Sequence, residues 1–220
     1  MKKYLMEMIG TFFLVFTIGM SVLAGGNGVI PPLAIGSVLM VMVYAGGHIS
    51  GAHYNPAITL GVWIRGKCET KDVLPYMLFQ MIGAALAAVL VRYVMPAGQP
   101  HPGSFPLLPE LIAEFLFTFA LVFVVLNTAT SQDNAGNSFY GLAIGFTVLA
   151  GAFAVGAVTP AAFNPSVALG ISMMGMSAWS KIWVFWVAEL LGGSLAGVVF
   201  KGLAPEMARK SASATPETNS

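Results

Sequence analysis

The chain has 220 residues, of which 57% are hydrophobic and only 9% are charged, and its formal net charge is +1. Globular proteins carry about 25% charged residues, so this composition excludes a water-soluble protein and predicts one that lies in a lipid bilayer. The small net charge gives no reason to expect a nucleic acid partner, and a single cysteine, Cys68, excludes an internal disulfide bond.

The apolar stretches of the chain predict six membrane-spanning helices, because a helix needs about 20 apolar residues to cross about 30 Å of hydrocarbon. In chain order these stretches are approximately 4–24, 30–49, 74–95, 108–128, 138–157 and 179–203. Two shorter apolar segments, about 56–65 and 165–174, reach only half that distance, so they predict helices that end near the membrane centre. Residues 204–220 are small, polar and charged and predict a disordered cytoplasmic tail.

The basic residues predict the orientation, since lysine and arginine concentrate in cytoplasmic loops. With the amino terminus inside, eight of the ten lysines and arginines fall on the cytoplasmic side: Lys2, Lys3, Arg65, Lys67, Lys71, Lys201, Arg209 and Lys210. The outer side holds Arg92 and Lys181. We therefore predict a multi-pass protein of the plasma or inner membrane with both termini in the cytoplasm.

The chain is an internal duplication. Residues of the first half recur in the second at an offset of 107 to 109: Glu7, Thr11 and Phe12 at Glu114, Thr118 and Phe119, and Asn55, Pro56, Leu60 and Gly61 at Asn164, Pro165, Leu169 and Gly170. Each repeat holds three spans, an odd number, so the second repeat inserts upside down and a site is expected at the membrane centre between the halves. The predicted membrane domain covers 1–203, with repeats at 4–95 and 108–203.

An Asn-Pro pair precedes each short apolar segment. Asparagine is a favoured helix N-cap and proline is favoured at the first helical position, so each pair predicts a helix start. Inversion brings the two starts face to face, and each contributes about half a positive charge. With the oxygens of Asn55 and Asn164 used as caps, their amide donors face the lumen. This arrangement predicts a pore that offers donors to neutral molecules and repels cations.

The motifs Asn55-Pro56-Ala57 and Asn164-Pro165-Ser166 resemble those of the aquaporin family. The resemblance extends over about residues 4–203 and includes Gly46-Gly47-His48-Ile49-Ser50-Gly51-Ala52-His53 and Phe185-Trp186. It implies an all-α membrane protein with six transmembrane helices and two re-entrant half-helices. It also implies a homotetramer with one pore per subunit, which passes water and small uncharged solutes without a cofactor.

The resemblance also assigns residues to the pore wall. The carbonyls of Gly51, Ala52 and His53 are expected to line the pore, and Glu7 and Glu114 are expected to hold the re-entrant loops. Irregular backbone at membrane depth needs such internal partners. The alternative is that both glutamates lie at the membrane interface.

The outer constriction departs from the family pattern. The resemblance places Ile35, Ala152, Ala161 and Val167 there, whereas the family usually has arginine at the position of Val167. Water-selective members typically have Phe, His, a small residue and Arg, and glycerol-type members have Trp, Gly, Phe and Arg. We therefore predict a wider, apolar filter with weaker rejection of ions. Glycerol, urea, ammonia and neutral metalloid hydroxides are the candidate solutes.

Two further departures leave alternatives open. Pro160 stands where the family tends to have glycine, and is either a structural stiffener or a selectivity element. Glu189 stands where the family commonly has proline, and is either a packing residue at a subunit contact or a proton or cation site. A proton-linked carrier that uses Glu189 and a poorly conducting structural protein are thus the alternative functions. The sequence has no nucleotide-binding or nucleophile–base motif, so we predict neither an enzyme nor a metal site.

Overall fold

The computed structural model describes residues 1–26, 28–96 and 102–203, and within them the backbone forms α-helices and no strand. The helices are α1 Lys2–Leu23, α2 Ile30–Ser50, α3 Pro56–Ile64, α4 Thr70–Val94, α5 Leu107–Val125, α6 Tyr140–Val155, α7 Pro165–Met173 and α8 Ile182–Leu203. A π-helical turn, Leu126–Thr130, prolongs α5, and a 3₁₀ turn, Trp179–Lys181, precedes α8. The predicted tail 204–220 lies outside the described residues.

Five of these helices are long and apolar enough to cross a membrane: α1, α2, α4, α5 with its π-helical turn, and α8 with its 3₁₀ turn. The sixth predicted span, 138–157, forms the shorter apolar helix α6, which has 16 residues and is about 24 Å long. The half-helices α3 and α7 have nine residues each and cover about 14 Å. The all-α membrane fold with two half-helices is therefore confirmed, with one span shorter than predicted.

The helices pack in pairs that correspond between the two halves of the chain. Helix α1 packs against α4 and α5 packs against α8, while each half-helix contacts the last long helix of the other half, α3 on α8 and α7 on α4. Glycines make the paired contacts close: a Cβ at Gly83 would lie 2.3 Å from the carbonyl oxygen of Met8, and one at Gly192 would lie 2.5 Å from that of Phe115. Small residues at such crossings let two backbones approach in a membrane. The repeat boundaries 4–95 and 108–203 stay predictions.

An ion pair joins the starts of the paired helices in each half, with the charges exchanged. Lys3 of α1 pairs with Asp72 of α4, whereas Glu110 of α5 pairs with Lys181 just before α8, at 2.8 Å. These are corresponding positions, since Lys3 and Glu110 differ by the 107 offset and Asp72 and Lys181 by the 109 offset. Both carboxylates are buried. The charge exchange explains why residue identity alone did not reveal the correspondence.

Candidate functional site

Two asparagines cap the half-helices at the centre of the molecule. Asn55 Oδ1 accepts a hydrogen bond from the backbone N–H of Ala57 at 2.8 Å, and Asn164 Oδ1 accepts one from Ser166 at 2.9 Å. Both asparagines have extended backbone, and the prolines that follow occupy the first turn of each helix. The local sequence dictates these starts, because an N-cap oxygen satisfies an orphan N–H and proline has no N–H to lose.

The same two side chains join the re-entrant loops to each other. Asn55 Nδ2 donates to the carbonyl of Phe163 at 2.8 Å, and Asn164 Nδ2 donates to the carbonyl of Tyr54 at 2.9 Å. Sequence reasoning missed this reciprocal link, because it depends on contacts across more than 100 residues. Each amide nitrogen carries two hydrogens, so one donor of each asparagine stays available to a molecule between the loops.

The backbone before each asparagine has an unusual left-handed conformation. In these two loops four non-glycine residues have positive φ, between 50° and 57°: Ala52, Tyr54, Ala161 and Phe163. Each such residue costs about 1–3 kcal/mol and persists only where its surroundings fix it. The two loops match at these four positions and differ one residue earlier, where Gly51 has a φ of 87° and Pro160 is locked near −65°. This strained backbone therefore has to be held by hydrogen-bond acceptors that bind its N–H groups.

Two buried glutamates supply these acceptors. The Glu7 carboxylate accepts hydrogen bonds from the Ser50 hydroxyl (2.6 Å), the backbone N–H of His53 (3.0 Å) and of Tyr54 (2.6 Å), and the Gln80 amide (2.7 Å). The Glu7 side chain is 0% exposed, so it lies inside the protein. Carboxylates make charge-assisted hydrogen bonds about twice as strong as neutral ones, which offsets the strain of the first loop.

Glu114 holds the second loop in the corresponding way. It accepts hydrogen bonds from the Thr159 hydroxyl and from the backbone N–H groups of Ala162 (3.0 Å) and Phe163 (2.8 Å). This side chain is also fully buried, and the placement of both glutamates relative to the membrane interface stays a prediction.

A cavity of about 310 Å³ leads from one face of the molecule to the two asparagines; we call it the mouth cavity. Its wall contains all four residues that were placed at the outer constriction, Ile35, Ala152, Ala161 and Val167. Of the three residues expected to line the pore through their carbonyls, His53 is in this wall, and Gly51 and Ala52 are not.

The wall of the mouth cavity contains few polar side chains. They belong to His53, Tyr54, Asn55, Thr159 and Asn164, and the rest of the wall is apolar or glycine. Among the described residues, no lysine or arginine contributes to this wall. The absence of arginine after the second motif is therefore not compensated by a cation from another described part of the chain.

Comparisons with known proteins agree with this geometry. The sequence profile described as major intrinsic protein matches residues 1–200. The chain belongs to the major intrinsic protein family. Aquaporin Z of Rhodopseudomonas palustris is 36% identical over 93% of this chain and 94% of its own length. Aquaporin NIP1-1 of Oryza sativa subsp. japonica is 38% identical over 87% of this chain and 70% of its own length.

A solved structure shows the same fold. The X-ray structure of the aquaglyceroporin from Plasmodium falciparum superposes with a TM-score of 0.79 at 22% identity, covering 94% of this chain and 98% of the other. As a major intrinsic protein, the chain is a multi-pass membrane channel for water and small solutes, and it is not an enzyme. Within the described residues, no group of three or more His, Cys, Asp or Glu side chains is placed to hold a metal ion.

Glu189 is an unusual feature of this major intrinsic protein. Its side chain is fully buried inside the subunit, so its predicted place at a subunit contact is wrong. Oε1 accepts a hydrogen bond from the backbone N–H of Asn164 at 2.8 Å, and the buried Oε2 has no hydrogen-bond partner among the described residues. The corresponding residue of the first half is Gln80, which binds Glu7 as a neutral amide.

Proposed function

We propose that this channel passes water together with uncharged solutes larger than water: glycerol, urea, ammonia or neutral metalloid hydroxides. The observation that supports the proposal is the wall of the mouth cavity, which contains Ile35, Ala152, Ala161 and Val167 and, among the described residues, no lysine or arginine. In this proposal the four side chains form an apolar outer constriction without a fixed cation. Two alanines leave room for a solute with several heavy atoms. The apolar wall suits the carbon side of such a solute, while the asparagine donors suit its oxygen atoms.

In this proposal Asn55-Pro56-Ala57 and Asn164-Pro165-Ser166 form the pore motif. Gly51, Ala52 and His53 present carbonyls to the lumen, and Glu7 and Glu114 support the loops. The opposed half-helix starts supply roughly one unit of positive potential at the centre and repel cations. A filter arginine at about 4 Å would add about 4 kcal/mol of repulsion at an effective dielectric constant of about 20. This chain lacks that contribution, so ion rejection is expected to be weaker but present.

A solute panel on reconstituted protein tests the proposal. Proteoliposomes and protein-free liposomes are exposed to inward gradients of glycerol and urea, and their reswelling is followed by stopped-flow light scattering. The proposal requires reswelling with both solutes well above the rate of the protein-free liposomes. Fast water flow with glycerol and urea excluded would overturn it, and absent permeability to every solute would favour the poorly conducting structural protein.

The proton-linked carrier makes a different prediction for Glu189. Because this side chain binds the Asn164 backbone and is not in the wall of the mouth cavity, we regard it as a positioning residue. Glu189→Gln retains an oxygen acceptor, so we expect neutral-solute flux within about twofold of wild type. The same liposomes with a pH gradient should show no uphill accumulation. Accumulation by wild type that disappears in Glu189→Gln would establish the carrier.

The orientation and assembly belong to the same proposal. We propose that the protein lies in the plasma or inner membrane with both termini in the cytoplasm. We also propose that it forms a homotetramer. Large apolar side chains on the outward surface of the helices support both membrane embedding and subunit contacts, including Leu74, Leu78, Leu86 and Leu116.

Cys68 offers a direct test of the orientation, because it is the single cysteine and lies between α3 and α4 on the predicted cytoplasmic side. A membrane-impermeant maleimide should label it in inside-out vesicles and not in right-side-out vesicles. Burial raises the pKa of the Cys68 thiol above its ordinary value of 9.0. Since the thiolate is the reactive form, the labelling rate should rise roughly tenfold per pH unit from pH 7 to 9. Labelling from the outside would reverse the proposed topology, and Cys68→Ser is the blank.

A further inference from the structure

Phe105 lies in the segment just before α5, and it forms part of the wall of the mouth cavity together with Gly103. The four residues proposed for the outer constriction, in the same wall, are all aliphatic. Phe105 therefore adds an aromatic residue to the opening of a pore whose constriction has none.

Two charged residues fix the backbone of this segment. Lys181 Nζ donates to the Phe105 carbonyl at 3.1 Å and to Glu110 Oε2 at 2.8 Å. The Glu110 side chain is 2% exposed and that of Lys181 is 31% exposed, so the ion pair is largely shielded from water. Charge-assisted hydrogen bonds of this kind are strong and directional. The Phe105 carbonyl is thus attached to the start of α8 through Lys181.

The aromatic ring of Phe105 packs directly on Gly103. A Cβ at Gly103 would lie 2.5 Å from one ring carbon and 2.8 Å from another, closer than atoms can approach. Glycine at this position therefore permits the observed ring position. With its carbonyl bound by Lys181 and its ring resting on Gly103, Phe105 is constrained from two sides.

We propose that Phe105 is a specificity-determining residue of the channel, and that Lys181 and Glu110 are the positioning residues that hold it at the mouth. This inference rests on the proposed passage of uncharged solutes through the mouth cavity. A fixed, uncharged aromatic ring narrows the opening without adding charge. It therefore sorts neutral solutes by their width and leaves the passage of the smallest ones nearly unchanged.

Substitution of Phe105 by alanine tests the size discrimination. Permeabilities to urea, glycerol and a six-carbon polyol are measured in the same proteoliposomes. We expect the polyol-to-urea permeability ratio to rise by roughly threefold or more, with urea within about twofold of wild type. The ratio for Phe105→Leu should fall between those of wild type and Phe105→Ala. Gly103→Ala should also change the ratio, because the added Cβ displaces the Phe105 ring. An unchanged ratio in Phe105→Ala and Gly103→Ala would overturn the inference.

The chain supplies a matched control for the positioning residues. Lys181→Met should reproduce the altered ratio, because it releases the Phe105 carbonyl. Lys3→Met removes the corresponding ion pair with Asp72 at the starts of α1 and α4, which the predicted topology places on the opposite side of the membrane from Phe105. It should leave the ratio at its wild-type value. Equal ratios in both lysine variants would contradict the positioning role.

A cysteine variant reports on the position of Phe105 independently of size selection. In a Cys68→Ser background, Phe105→Cys should be modified by a membrane-impermeant methanethiosulfonate reagent added outside, and the modification should block urea flux. Modification without any effect on flux would place residue 105 outside the solute path. If the parent Cys68→Ser protein passes no solute at all, the proposed function fails. If the parent passes urea normally and the reagent does not change urea flux through the Phe105→Cys variant, only the role of Phe105 is refuted.

Discussion

Replacing Val167 with arginine is expected to reduce glycerol and urea permeability by roughly tenfold or more while water permeability falls by less than about threefold. Val167 is in the wall of the mouth cavity at the first turn of α7, where it is 4% exposed. The longer side chain would occupy part of a 310 Å³ cavity and narrow it for multi-atom solutes. The change also adds about 4 kcal/mol of repulsion toward a cation at about 4 Å, equivalent to roughly a thousandfold in ion occupancy.

The control for this prediction is Val167→Met, which lengthens the side chain without adding charge. Loss of solute flux in both variants with loss of ion leak only in Val167→Arg would separate the steric effect from the electrostatic one. Solute flux is measured by reswelling of proteoliposomes, and ion leak is measured by the decay of an imposed ion gradient. Unchanged glycerol flux in Val167→Arg would show that residue 167 does not limit the passage.

Replacing Glu7 with alanine should abolish the folded channel. The substitution leaves four donors, from Ser50, His53, Tyr54 and Gln80, without their acceptor. Each unsatisfied buried donor costs about 1–3 kcal/mol, so the total loss is about 4 kcal/mol or more. That loss is comparable with the whole free energy of unfolding of an ordinary domain. The left-handed backbone at Ala52 and Tyr54 would then lack the hydrogen bonds that stabilise it.

Detergent-solubilised protein analysed by size-exclusion chromatography during a thermal ramp measures this effect. Glu7→Ala should aggregate at a much lower temperature than wild type, and Glu7→Gln, which keeps one acceptor oxygen, should fall between them. Glu69→Ala is the control, because its side chain is 67% exposed. Wild-type thermal stability of Glu7→Ala would refute the role of Glu7 in supporting the loop.

The sequence predicted the half-helices closely, with 56–65 and 165–174 against the observed Pro56–Ile64 and Pro165–Met173. The reason is local: an asparagine cap and a following proline fix a helix start whatever surrounds them. The span at 138–157 was predicted too long because contacts with residues far away in the sequence determine where the helix ends. The chain leaves α6 at Val155 so that Thr159, Ala162 and Phe163 can bind Glu114.

Other features of the site could not be derived from the sequence. The mutual hydrogen bonds of Asn55 and Asn164, and the bond from Asn164 to Glu189, join residues brought together only by the packing of the two halves. The two ion pairs occupy corresponding positions with opposite charges, so a search for identical residues does not find them. Phe105 lies in a loop with no counterpart in the duplication pattern, so no repeat signal marked it.

The reflection coefficient of glycerol in wild-type proteoliposomes tests the central claim most directly. Water and glycerol interact in the lumen if they share one passage through the apolar constriction, and glycerol then exerts less than its full osmotic pressure. We predict a coefficient clearly below that of an impermeant sugar measured in the same vesicles. A glycerol coefficient equal to that of the sugar, with rapid water flow, would contradict a mouth cavity that is wide enough for solutes larger than water.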